Sequence, residues 1–267
     1  MRISKFARVA LWTIMGFGFS FIYVPLILVV INSFNRNTSF AWPPSGFTTS
    51  WWSKAASNEG VRDAITRSAL VAVLATMIAL VLGALAAAAV ARYEFFGRDA
   101  ISLLFVLPIA LPGIVTGIAL NNVFTNFLGQ LTLFTIVVGH ATFCIVVVFN
   151  NVAARYRRLG KNLEEASMDL GATRWTTFRL VTFPLIRTAL IAGGLLSLGL
   201  SFDEIIVTTF TAGAGQNTLP IWIFQNLFRP NQAPIVNVVA ATLVILSIIP
   251  IYFSQRLASD DGSGRKN

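Results

Sequence analysis

Six long apolar runs set the limits on how this chain can fold: Val9–Ile31, Ala69–Ala91, Ile101–Leu120, Leu131–Phe149, Thr188–Phe210 and Ile235–Phe253. Runs of about 19 residues or more with few charges match helices that cross a hydrocarbon layer about 30 Å thick. A barrel is excluded, because its strands would alternate polar and apolar residues and AVLATMIALVLGALAAAAVA does not. With 55% hydrophobic and only 12% charged residues, the chain holds too much apolar surface for an ordinary water-soluble domain. The expected fold class is all-α, a polytopic membrane protein with six transmembrane helices.

The basic start MRISKFAR resembles the beginning of a signal peptide. The apolar run after it is 23 residues long, and NSFNRN follows instead of a small-residue cleavage site, so a retained transmembrane helix is expected. With six spans both termini share a side. Fifteen of the 20 Lys and Arg residues fall on the N-terminus, the loops Arg92–Asp99 and Arg155–Arg187, and the C-terminus. The opposite segments carry only Arg36, Lys54, Arg62, Arg67 and Arg229. That asymmetry places both termini in the cytoplasm, and the net charge of +9 then needs no nucleic-acid partner. The single cysteine, Cys144, lies mid-span and can build neither a disulfide framework nor a cysteine metal cluster.

Three parts follow from this layout: a first helix with an external segment (1–64), a core of spans (65–256) with a cytoplasmic loop at 155–187, and a disordered cytoplasmic tail (257–267). In the external segment Trp42, Trp51 and Trp52 suit the headgroup layer as interfacial anchors, with contact to substrate or partner as the alternative. In span three, LPIALPGIVTG places Pro108, Pro112, Gly113 and Gly117 close together, so a bend is expected there. The bend is either a packing kink or the wall of a translocation path. No repeat of fixed period is visible.

The most polar long segment, EEASMDLGATRWTTFRLVTFP (Glu164 to Pro184), holds three acids and two arginines between two apolar spans. On a helix, Glu165 and Asp169 share one face and point outward, while Leu163, Ala166 and Leu170 form another that can rest against protein. Gly171 suits the left-handed cap at the helix end. A second helical piece through Trp175 and Phe178 leads to Pro184 and the next span. The segment is thus a small helix–turn–helix presenting acids and apolar residues on the cytoplasmic side.

The spacing Glu165-Ala166-Ser167, three residues, Gly171, nine residues, Val181, one residue, Phe183-Pro184 resembles the EAA signature of bacterial ABC importer permeases. Ser167 replaces the second alanine of that signature, and Val181 and Phe183 stand at its aliphatic positions. YVPLILVVINSFN, FTTSWWS, ARYEFFGR, HATFC and LSFDEIIVTTF extend the likeness, and together they are similar to the second permease subunit of spermidine/putrescine importers. The resemblance implies a type I importer: two permeases paired as a heterodimer, two ATPase subunits and an extracytoplasmic binding protein, in the bacterial inner membrane. It makes Glu165, Ala166 and Gly171 ATPase-docking residues. Glu164, Asp169, Ala172 and Pro184 join them as parts of the same element.

Asp203 and Glu204 lie about 22–24 Å along span five at 1.5 Å per residue, in the outer part of the membrane. Acids within a span usually face a wet cavity or a partner charge. Ser197, Ser201, Glu204 and Thr208 form one helical stripe, which suggests a polar lumen. Asp203, Glu204, Ser201 and Trp222 are therefore candidates for the path of a cationic amine. Structural pairing of one acid with an arginine of a partner stands as the alternative.

The lone His140 is read as a hydrogen-bonded packing residue, with a proton relay or substrate ligand as the alternative. The glycines of TAGAGQNT lack the Lys-Ser/Thr of a phosphate-binding loop, so ATP and its magnesium are expected on the partner ATPase and no cofactor on this chain. The expected function is polyamine import as a permease subunit, with no enzymatic activity of its own. A stand-alone ion-coupled transporter of an organic cation, or a permease for another small solute, is the alternative.

Overall fold

The computed structural model describes residues 4–38, 42–229 and 231–245, with backbone alone for 106–110. The described helices follow in chain order. They are α1 (Lys5–Asn32), α2 (Ser50–Ser57), α3 (Glu59–Arg92), α4 (Arg98–Ala110), α5 (Gly113–Leu128) and α6 (Leu133–Leu159), then α7 (Asn162–Asp169) and α8 (Arg174–Thr177). A π-helical turn (Phe178–Thr182) joins α8 to α9 (Phe183–Asp203); α10 (Ile206–Thr211), α11 (Leu219–Asn226) and α12 (Ala233–Ile245) complete the set. No strand occurs among the described residues, only an isolated antiparallel bridge between Asn35 and Phe47.

Four stretches among the described residues are long and apolar enough to cross a membrane: α1, α3, α6 and the continuous run Arg174–Asp203. The third expected span is instead two helices. Pro112 takes the N-cap of α5 with extended backbone (φ −56°, ψ 130°), and α4 and α5 are 13 and 16 residues long. A proline there has no amide to continue the ladder and disfavours helical backbone at the preceding residue. Span five is likewise interrupted, after Asp203. Of the expected sixth span the shorter apolar helix α12 is described; residues 246–253 and the expected tail 257–267 lie outside the described residues.

The described residues form two compact units: those up to Arg62 together with those from Ile223 onward, and Asp63–Trp222. In the first, the segment after α1 is held by its own polar and aromatic groups. The Trp51 indole N–H donates to the Asn35 carbonyl at 3.0 Å, and Phe34 stacks on Trp52 at 5.2 Å. Trp51 and Trp52 therefore fasten this segment, while Trp42 is exposed.

The second unit is built around α6. Ile136, Cys144, Val148, Phe149, Val152 and Tyr156 are buried along its length. Small residues let its neighbours approach closely, as in other packed membrane helices. A Cβ on Gly83 of α3 would lie 2.9 Å from the Ile145 carbonyl oxygen, and one on Gly193 of α9 would lie 3.2 Å from Val148 Cα. Polar clasps add to this packing. Ser197 Oγ donates to the Cys144 carbonyl at 3.2 Å, and Arg155 Nε donates to the Leu185 carbonyl at 2.8 Å. At the other end of α3, Arg67 donates to the carbonyls of Gly215 and Asn217, and the Leu219 amide donates to Ser68 Oγ at 2.8 Å.

Candidate functional site

The polar segment folds as a compact helical elbow inside the second unit. α7 ends in a Schellman motif: Gly171 has φ +87°, its amide donates to the Met168 carbonyl at 2.9 Å, and the Ala172 amide donates to the Ser167 carbonyl at 3.2 Å. Glycine takes this left-handed backbone without a Cβ clash, so its position sets the length of α7. Thr173 then caps α8, its Oγ1 accepting from the Thr176 amide at 3.2 Å. Between α8 and α9 the backbone widens into the π turn, directly before Pro184. Proline cannot donate to the carbonyl four residues back and its ring would strike that carbonyl in a regular helix, so the wide turn accommodates Pro184.

Glu164 is the hub of the elbow. Its carboxylate forms an ion pair with Arg92 at the end of α3, 2.7 Å from Nε, and accepts a hydrogen bond from Arg92 Nη2 at 3.1 Å. The same carboxylate accepts from Thr182 Oγ1 at 2.9 Å. The Arg92 guanidinium stands over the Tyr156 ring at 4.7 Å. One acid thus joins α3, α7 and the π turn. A cleft of about 380 Å³ opens beside it, lined by Arg92, Tyr156, Glu165, Met168, Arg174 and Phe178 among others.

Glu165, Ala166 and Asp169 are exposed, and the two acids form no ion pair among the described residues. The expected resting face is a correction: Leu163 is 53% and Leu170 89% exposed, so the apolar side of α7 faces outward as well. Polar contacts hold α7 to the protein, among them those of Glu164 and a 3.1 Å contact between the hydroxyls of Ser167 and Thr177. Trp175, stacked on Phe178 at 5.7 Å, is 69% exposed and extends the apolar patch. Sequence reasoning missed Arg92 and Thr182 as partners of Glu164. Arg92 was visible only as one charge at the end of an apolar run.

The second group of candidates lies where span five breaks. Asp203 ends α9 and is exposed. Glu204 is extended (ψ 122°), and its carboxylate accepts from the Val207 amide at 2.9 Å, capping α10. Ser201 is buried and its hydroxyl lies 2.7 Å from His140 Nδ1. Ser197 and Thr208 are also buried, and each bonds to α6. The stripe read as a polar lumen is thus largely the seam with α6. Trp222 is buried within α11. His140 is fully buried, with both ring nitrogens hydrogen-bonded, as a packing histidine is.

Residues 79–260 match the family described as "Binding-protein-dependent transport system inner membrane component". Over 247 residues, the chain is 34% identical to the spermidine/putrescine transport system permease protein PotC of Escherichia coli (strain K12), covering 92% of each chain. It is 32% identical to the putrescine transport system permease protein PotI of that strain over 236 residues, 85% of this chain and 83% of the relative. Its fold is similar to a chain in the crystal structure of a bacterial ABC transporter involved in the import of the acidic polysaccharide alginate. The TM-score is 0.72 with 97% and 99% of the two chains covered; at 16% identity this likeness speaks for the fold alone.

Proposed function

Because the chain belongs to the family of binding-protein-dependent transport system inner membrane components, we propose that it is the permease subunit of an ATP-driven importer of polyamines of the putrescine and spermidine class. The observation that carries the cargo is the 34% identity, over 92% of both chains, to a spermidine/putrescine permease. Two ATPase subunits bind ATP and magnesium, a second permease completes a heterodimer, and an external binding protein delivers the amine. This chain binds no cofactor and hydrolyses nothing.

Six spans cross the inner membrane, with α4 and α5 together forming the third and α9 and α10 the fifth. Both termini and the loop 155–187 lie in the cytoplasm, a placement supported by the concentration of Lys and Arg on those segments. The exposed face of α7, with Glu165, Ala166 and Asp169 beside Leu170, docks the ATPase. Closure of the ATPase pair pulls on α7. Glu164 passes that pull to α3 through Arg92, and the π turn passes it to α9. Asp203, exposed at the break in span five, attracts the ammonium groups of the cargo from the outer side.

Uptake of labelled putrescine and spermidine into proteoliposomes, with partner permease, ATPase and binding protein present, tests this. ATP-dependent accumulation is expected in the wild type. Glu165→Lys and Gly171→Asp should insert normally yet lose uptake by about tenfold or more, since each disturbs the docking face or the cap that ends it. Normal uptake in both variants removes the docking assignment. Uptake driven by an ion gradient without the ATPase would instead establish a secondary transporter.

A further inference from the structure

Span five is interrupted within the membrane, and a single side chain grips both of its pieces. His140 of α6 lies 2.7 Å from Ser201 Oγ in the last turn of α9 through Nδ1, and 2.7 Å from Thr208 Oγ1 in α10 through Nε2. All three side chains are buried. Between the two contacts the backbone leaves the helix at Glu204 and resumes at Ile206.

The direction of the hydrogen bonds follows from counting protons. Thr208 has one hydroxyl proton and donates it to the Glu204 carbonyl at 2.9 Å. Its contact with Nε2 must then be a bond that the imidazole donates. In a neutral ring Nδ1 is left as the acceptor, and Ser201 donates to it. A single chain of donors thus runs from Ser201 through His140 and Thr208 to the Glu204 carbonyl, which the break has freed from the helical ladder. Packing supports the same contact. Gly139 admits α10 against α6, since a Cβ there would lie 3.2 Å from Thr211 Cγ2 and 3.4 Å from Val207 Cγ1. One turn earlier, Thr135 Oγ1 lies 2.7 Å from the Thr211 carbonyl and shares its one proton between that carbonyl and the Thr132 carbonyl at 2.6 Å.

We propose that His140 is a positioning residue, an imidazole clasp that holds the two halves of the broken span in one relation and so sets where Asp203 stands. The role of Asp203 rests on the proposed transport function; the clasp itself does not. An unbroken helix would need no such device, because its own backbone bonds would transmit position. Here the ladder stops at Asp203, and the side-chain chain through α6 replaces it.

Two measurements on the assembled importer test the clasp separately from the transport reading. Spin labels at Leu195→Cys and Thr209→Cys, in a Cys144→Ala background, report the distance between α9 and α10. Thr208→Val and Ser201→Ala conserve side-chain volume closely and remove one link each. Each should broaden the distance distribution about twofold, whereas Asp203→Asn should leave it unchanged. In uptake assays Thr208→Val should lower the rate about tenfold, and the Thr208→Val/Asp203→Asn double variant should match Asp203→Asn within about twofold, because residues acting through one another are not additive. An unchanged distribution in both clasp variants overturns the clasp. A broadened distribution with losses that simply multiply overturns its action through Asp203. Absence of polyamine uptake by the wild type would strike at the transport function alone, and the label distances would still decide the clasp.

Discussion

Asp203 and Glu204 are neighbours of the same charge type with different work. Glu204 turns back to cap α10 through the Val207 amide, while Asp203 is exposed at the end of α9. Glu204→Gln keeps an acceptor oxygen and should leave transport within about twofold of wild type, whereas Glu204→Ala loses the cap at a cost of about 1 kcal/mol. Asp203→Asn should reduce polyamine uptake strongly at low cargo concentration; wild-type uptake in that variant would remove Asp203 from the path. Glu164 shows the same contrast with Glu165. Arg92→Gln should lower thermal stability in detergent by about 1–3 kcal/mol, because it leaves a carboxylate with less than its full set of donors. The double variant Arg92→Gln/Glu164→Gln should recover part of that loss, and purely additive losses would show that the pair carries no coupling. Adjacent acids look alike in one dimension. Their division of labour depends on partners 72 residues away in the case of Arg92 and on a local backbone break in the case of Glu204.

At the scale of elements, interruptions carry the consequences. The Pro112 break in span three was legible because proline states its own constraint. The break in the expected fifth span carries no proline or glycine at its centre and was not legible; His140 of α6 contacts the helix on either side of it. The elbow was read correctly where local chemistry decides, in the Gly171 cap and the second helical piece that leads through Pro184 into the next span. It was misread where packing decides, since the apolar face of α7 points away from the unit. Close helix contacts give an equally local test. Gly83→Val places atoms where the Ile145 carbonyl and Val148 already stand, and overpacking of this kind costs about 1–3 kcal/mol. A lower melting temperature in detergent is expected; an unchanged one would show that α3 and α6 separate at no cost.

For the whole molecule, the distribution of charge makes a prediction about sidedness. In vesicles stripped of the ATPase, Leu170→Cys, exposed at the end of α7, should react with a membrane-impermeant thiol reagent only when they are inside-out. Trp42→Cys should react in right-side-out vesicles only. The buried native Cys144 should stay silent in both. The reverse pattern would overturn the proposed topology while leaving the family assignment intact.

The sequence by itself determined the helical class, the membrane setting and the place of the polar elbow, because these follow from run length, hydropathy and nearest-neighbour chemistry. A lipid environment leaves few alternatives to a helix when every backbone group must be satisfied internally. Tertiary structure alone decided which polar groups are spent on holding the protein together. Ser201 and Thr208 close on His140, Glu164 closes on Arg92, and Glu165 and Asp203 remain open to solvent or a partner. Those outcomes depend on contacts between residues distant in sequence, and the free energy of a buried hydrogen bond cannot be assigned until both of its ends are in place.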